Sequence, residues 1–138
     1  MAEEKERAYW ISEDMAEIAA GVIEDIPELN HLKECAIGYY ESTKVKKRDG
    51  RTTLADCRKV DEFYKPYCPY DYIITVYDKP TQGLSEKQMA ILMEHELMHI
   101  DYAPGDIDTP PVIKIRPHDA QEFRRIIEKY GIDWDKPL

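Results

Sequence analysis

The 138-residue sequence lacks any run of about eighteen apolar residues, the length at which a helix can cross a membrane, so we expect no membrane association. Residues 1–7 are mostly charged and lack the apolar stretch of a secretory signal, which favours a cytoplasmic location. The three cysteines, Cys35, Cys57 and Cys68, form no C-x-x-C pair, which argues against a disulfide framework and against a zinc ribbon. Internal repeats and low-complexity segments are absent, so nothing indicates a repeat protein.

A surplus of positive charge is also lacking, because 28 acidic residues outnumber 19 Lys and Arg residues, which gives a net charge of −9 and an isoelectric point near 4.9. This balance argues against bulk binding to nucleic acid. One local exception is a basic cluster around Asp49-Gly50, formed by Lys44, Lys46, Lys47, Arg48 and Arg51. We interpret it as a solvated hairpin tip, and the alternative is a contact point for phosphates or for an acidic partner.

The order of the predicted elements indicates an α+β fold in a single domain over residues 1–138, with a small sheet packed against helices. Hydrophobic periodicity and turn residues predict these elements. They are a helix over 12–26, a strand over 35–45, a hairpin turn at Asp49-Gly50, a returning strand over 52–59, an irregular stretch over 60–70, a strand over 72–77, an extended segment over 112–116 and a last helix over 119–130.

The residues His95-Glu96-Leu97-Met98-His99 form an H-E-x-x-H motif. Residues four apart on a helix lie nearly above one another, so His95 and His99 can bind one metal ion together. Glu96 lies beside them, where a carboxylate can reach a water molecule bound to that metal. This pattern predicts a zinc site with two histidine ligands and Glu96 as general base.

The residues around the motif favour a buried helix. Ser85 with Gln88 three positions later predicts a capping box, and no proline or glycine occurs from residue 86 to residue 100. Apolar residues surround the motif on most sides, so we expect the helix to be largely buried and to continue past His99. Buried polar side chains need partners, and a metal ion supplies one.

A catalytic zinc ion usually has three protein ligands and one open position. His118 is the favoured third ligand, because it follows a loop rich in proline and glycine and lies just before a helix start. Asp101 follows His99 too closely and would face away on a continuing helix. The other candidates that remain open are His31, Asp106, Asp108 and Glu122.

The motif, together with Arg116-Pro117-His118-Asp119-Ala120-Gln121-Glu122-Phe123 and Tyr130-Gly131, resembles the phage metallopeptidase family. This resemblance covers residues 54–134. It implies a small zincin-like metallopeptidase domain, distantly similar to SprT-like metalloproteases, with His118 at the third metal-ligand position. It also implies a phage or prokaryotic origin and a peptide or protein substrate.

The expected activity is therefore hydrolysis of peptide bonds through a zinc-activated water, with Zn²⁺ as the cofactor and Glu96 as the base. The strand over 72–77 would be the sheet edge on which a peptide adds as a further strand, and the alternative that its apolar centre equally allows is an interior strand. Candidates for stabilising the oxyanion are Tyr70, Tyr77, Tyr102 and Arg116. Two alternatives remain, a zinc-stabilised binding module without catalysis and a metal hydrolase that acts on other substrates.

Overall fold

A computed structural model describes residues 8–48 and 50–117 of the chain. Its helices are α1 (Glu13–Asp25), a 3₁₀ helix (Pro27–Glu34), a second 3₁₀ helix (Glu62–Tyr67), α2 (Asp78–Thr81) and α3 (Glu86–Leu97). Its strands are β1 (Tyr9–Ile11), β2 (Ile37–Ser42), β3 (Lys47–Arg48), β4 (Arg51–Thr52), β5 (Ala55–Lys59), β6 (Tyr72–Tyr77), β7 (Ile100–Ala103) and β8 (Val112–Ile115). Within these ranges no helix is long and apolar enough to span a membrane.

The first helix begins and ends where the sequence predicts. The Ser12 hydroxyl accepts a hydrogen bond from the Met15 N–H at 3.1 Å, which caps the first turn of α1. Pro27 cannot continue the α-helical hydrogen bonding, so the chain turns into the first 3₁₀ helix. The apolar face of α1 is buried against the rest of the core, whereas β1 and this 3₁₀ helix were not predicted.

Four strands form the main sheet in the order β1-β2-β6-β5. The β1/β2 and β5/β6 pairs are antiparallel, and the β2/β6 pair is parallel. The predicted hairpin exists only at its tip, where β3 pairs with β4 and Gly50 has φ +79°. The expected return strand over 52–59 is split, and its main part, β5, pairs with β6 instead of β2.

The prediction that residues 72–77 form a sheet edge is wrong, although their assignment as a strand is confirmed. β6 lies between β2 and β5, with Ile74 paired to Tyr39 on one side and to Cys57 on the other. Its β-branched and aromatic residues suit an interior strand that is buried on both faces. Among the described strands, β1 and β5 are the edges of the sheet.

The core lies between one face of this sheet and the helices α1 and α3. Tyr72, Ile74 and Val76 alternate along β6 and point into the core, where each is at most 2% exposed. Helix α3 contacts both α1 and the edge strand β5. The described residues therefore form a mixed α+β fold in which a small sheet supports the motif helix, as the sequence predicts.

A separate hairpin follows the motif helix directly. Strands β7 and β8 are antiparallel, with Ile100 opposite Ile115. The buried Tyr72 hydroxyl donates to the Lys114 carbonyl and accepts from the Lys114 N–H, both at 2.8 Å, and so ties this hairpin to the main sheet. The helix predicted over 119–130 lies outside the described residues.

Candidate metal and catalytic site

The motif helix α3 begins at a complete capping box. The Gln88 N–H donates to the Ser85 hydroxyl at 3.1 Å, and the Ser85 N–H donates to the Gln88 side chain at 2.8 Å. These bonds satisfy backbone donors that a helix start leaves unpaired. The sequence-based prediction of this helix start is confirmed.

The polar residues of the motif are buried in the last turn of α3. Glu94 is 1% exposed, His95 is 8% exposed and Glu96 is 4% exposed. Leu97 follows them with no exposed surface at all. Burial of three ionisable side chains in one turn is rare unless they have partners. This turn is therefore the chemically unusual part of the helix.

The helix ends inside the motif, so the prediction that it continues past His99 is wrong. Leu97 is its last residue, and the His99 N–H donates to the Glu96 carbonyl at 3.1 Å in a tightened final turn. Asp101 is therefore on strand β7 and not on a continuing helix. The turn nevertheless keeps His95 and His99 adjacent, with ring centroids 5.3 Å apart and ring planes at 69°.

Three hydrogen bonds hold the end of the motif against Arg116, which follows β8. The Arg116 N–H donates to the His99 carbonyl at 2.6 Å, and the Arg116 guanidinium donates to the Met98 carbonyl at 3.0 Å. The His99 Nδ1 lies 2.7 Å from the Arg116 carbonyl, which can only accept a hydrogen bond. A neutral His99 ring therefore carries its proton on Nδ1 and its lone pair on Nε2, the tautomer that suits metal binding through Nε2.

Glu96 lies beside His95 on α3, and α3 packs against the edge strand β5. The Glu96 Oε2 is 3.9 Å from the His95 Nε2. Burial raises the pKa of the Cys57 thiol on β5, and the negative charges of Glu96 and Asp56 raise it further. With Cys57 on β5 and Glu96 on α3, this strand therefore borders the motif helix. The sequence carried no signal for this proximity, since the two residues are far apart along the chain.

The structure separates the candidates for the third ligand. His118 and Glu122 lie outside the described residues. His31 is exposed in the first 3₁₀ helix, and the Asp101 side chain is exposed on β7. Both therefore differ from His95, which is buried in α3.

The carboxylate of Asp106, one of the two loop aspartates, has a structural explanation without a metal. The Asp106 carboxylate accepts hydrogen bonds from the N–H groups of Asp108 at 2.9 Å and Thr109 at 2.8 Å. These bonds close a turn in the loop and lower the pKa of Asp106. Across residues 8–48 and 50–117, no group of three or more His, Cys, Asp or Glu side chains could hold a metal ion.

The predicted oxyanion stabilisers are widely distributed. The Tyr77 hydroxyl donates to a carboxylate on β5 at 2.6 Å, and the Tyr102 hydroxyl donates to a carbonyl of the first 3₁₀ helix at 3.3 Å. The Tyr70 ring lies close against the β2 backbone. Arg116 alone of these four bonds to the motif turn, through the Met98 carbonyl. Its backbone contacts with His99 were not predicted, because nothing local to either residue signals them.

A buried helix that ends in a His-Glu-x-x-His turn, on a small mixed sheet, is an arrangement typical of metal-dependent hydrolases. A comparison with protein-family models matches residues 7–138 to the family described as "Putative phage metallopeptidase". The chain belongs to this family, as its motifs indicated. The match begins at residue 7, so it also covers α1 and the N-terminal strands, whereas the resemblance seen in the sequence began at residue 54.

No curated protein and no solved structure matches the chain.

Proposed function

We propose that this protein is a zinc-dependent peptidase with a zincin-like fold, in which His95, His99 and His118 hold the metal ion and Glu96 is the general base. The observation that carries the proposal is the set of bonds between His99 and Arg116. They orient the imidazole of His99 through its Nδ1. They also bring the returning chain to the motif just two residues before His118.

The donor set fits a zinc ion. Neutral imidazoles are preferred zinc ligands, and a hydrogen bond from the second ring nitrogen to a carbonyl is the usual support for such a ligand. Two residues of chain span at most about 7 Å, so the return of the chain at Arg116 supports the choice of His118 as the third ligand. Because the described residues supply only two of the usual three donors, a third from beyond Pro117 is consistent with the site.

When bound, a zinc ion would lower the pKa of a coordinated water to about 7 and polarise the substrate carbonyl. Glu96 takes the proton from the attacking water as the new C–O bond forms. Glu96 then delivers that proton to the leaving amine as the peptide C–N bond breaks. Burial of Glu96 at 4% exposure holds its carboxylate in a single place and limits competition from bulk water.

In this proposal the substrate peptide adds to β5, and not to the strand over 72–77, which is an interior strand. Among the described strands, β5 pairs on one side only, and the motif helix packs against it. An extended peptide could therefore add to its open edge through backbone hydrogen bonds. Arg116, which bonds to the motif turn, is the candidate best placed to stabilise the oxyanion.

Two buried glutamates in the same turn allow a matched test. Purified wild type, Glu96→Gln and Glu94→Gln are assayed on a peptide library, and their zinc content is measured by elemental analysis. Glu96→Gln should keep zinc and lose about 10²–10⁴-fold in kcat. Glu94→Gln should keep both zinc and activity. A protein that binds zinc but cleaves nothing would instead support a structural zinc module.

The third ligand is tested by zinc affinity. Loss of a supporting contact to a zinc ligand typically costs about 10–100-fold in affinity, and loss of a ligand should cost more. His118→Ala should therefore lower zinc affinity by more than about 100-fold, whereas His31→Ala should leave it unchanged. Full zinc occupancy in His118→Ala would show that the third ligand is another residue.

A further inference from the structure

Positive charge is concentrated in one segment of an otherwise acidic chain. Residues 44–59 contain seven of the 19 Lys and Arg residues and only two of the 28 acidic ones, although the net charge of the whole chain is −9. This basic segment runs from the end of β2 through the β3/β4 hairpin to the end of β5. The following side chains in it are exposed: Lys44, Lys47, Arg51, Arg58 and Lys59.

The acidic residue described within the basic segment does not neutralise it. The Asp56 carboxylate lies 2.8 Å from the Lys46 Nζ and 3.7 Å from an Arg58 Nη, and it also accepts the Tyr77 hydroxyl at 2.6 Å. One negative charge is thus shared by two cations, which leaves an excess of positive charge. The Arg58 side chain is 59% exposed and can contact a ligand.

This excess charge lies at the edge strand beside the candidate site. The motif helix α3 packs against β5, where Cys57 faces the core and is followed directly by Arg58 and Lys59. Successive side chains on a strand alternate between its faces and rise about 3.3 Å per residue. Lys59 is therefore on the same face as Cys57, about 7 Å further along, and Arg58 is on the opposite face.

The groove between α1 and α3 has the opposite charge. Its cavity has a volume of about 610 Å³ and is lined by the following acidic residues: Asp14, Glu17, Asp25, Glu86 and Glu94. Opposite charges attract ligands to different surfaces, so acidic peptides are drawn toward β5 and basic ones toward this groove.

We infer that the substrates are acidic polypeptide segments, which bind in extended form along β5 with Asp or Glu side chains facing Arg58 and Lys59. This inference rests on the proposed function, because it assigns a substrate class to the same site. A peptide along β5 places its side chains alternately on both faces of the strand. Each face offers one of these two cations, so acidic residues at neighbouring positions can both find a partner.

Charge reversal on β5 tests the inference. The double variant Arg58→Glu/Lys59→Glu is compared with Lys79→Glu/Lys87→Glu, which changes the net charge equally at exposed positions elsewhere. The substrates are peptides that share one cleavable core and carry Glu, Gln or Lys at the flanking positions. Wild type and the control should prefer the Glu peptide over the Gln peptide by about 5-fold or more in kcat/KM, and less at high salt. The β5 variant should lose or invert this preference.

A measurement of peptide binding distinguishes failure of this inference from failure of the proposed function. Fluorescence anisotropy with Glu96→Gln measures the affinity for the same peptides without any turnover. A preference for the Glu peptide that disappears when Arg58 and Lys59 are reversed supports the inference even if wild type cleaves nothing. Equal binding of all three peptides, or a preference unaffected by the reversal, overturns it even if wild type is an active peptidase.

Discussion

The first and last turns of α3 differ in what holds them in place. The first turn is stabilised by bonds between near neighbours, since Ser85 and Gln88 satisfy each other's backbone N–H groups. The last turn depends on distant parts of the chain. Arg116 bonds to the carbonyls of both Met98 and His99, and α3 packs against β5.

The two ends of α3 also differ in how far their residues are exposed to solvent. Ser85, Glu86 and Lys87 at the helix start are exposed, whereas Glu94 to Leu97 at its end are buried. The start of the helix is therefore an ordinary piece of local structure. The end is a polar cluster that only the assembled fold can hold, and it contains the residues proposed for chemistry. Substitutions that disturb the end should have larger consequences than substitutions at the start.

The largest effect on stability is expected from Leu97→Ala. Leu97 has no exposed surface and packs in the core directly beside Glu96. Truncation leaves a cavity, so the free energy of unfolding should fall by about 2–5 kcal/mol. Urea denaturation measures this loss. The control Lys87→Ala, on the exposed start of the same helix, should change stability by at most about 0.5 kcal/mol. Equal losses in both variants would remove the contrast between the two ends.

An intermediate effect is expected from Tyr72→Phe, which removes the hydroxyl that ties β8 to the main sheet. The Lys114 N–H and carbonyl both lose their partner. Because Tyr72 is fully buried, the cost should be about 1–3 kcal/mol in the free energy of unfolding. Zinc affinity should fall as well, since β8 leads directly to Arg116.

The matched control for this substitution is Tyr67→Phe, which removes a hydroxyl from a side chain that is 83% exposed. Neither its stability nor its zinc affinity should change measurably. If Tyr72→Phe lowered stability but left zinc affinity intact, the position of the motif turn would not depend on the β7/β8 hairpin.

The difference between bonds among near neighbours and contacts between distant parts of the chain also explains which features were predictable from sequence. The α1 cap, the β6 strand and the capping box of α3 follow from residues that are close together along the chain. The interior position of β6 was not predictable, because an apolar strand can occupy either the centre or the edge of a sheet.

Long-range contacts account for the remaining differences. Residues 86–100 contain no helix-breaking residue, yet α3 ends at Leu97 because the chain enters a hairpin that returns to His99. The motif itself predicted His95, Glu96 and His99 as neighbours, since a four-residue spacing defines their geometry. The Arg116 carbonyl orients the His99 ring through a contact between residues seventeen positions apart, and no local sequence pattern predicts this contact.

The smallest effect is expected from Ser85→Ala. This substitution removes the hydroxyl that accepts the Gln88 N–H, so stability should fall by about 1 kcal/mol. Ser85→Asp, which retains a capping oxygen, should recover most of that loss. Zinc affinity should be unchanged in both variants, because Arg116 bonds to the end of the helix, where the proposed metal ligands lie, and not to its start. A large loss of zinc affinity in Ser85→Ala would show that the two ends of α3 are energetically coupled.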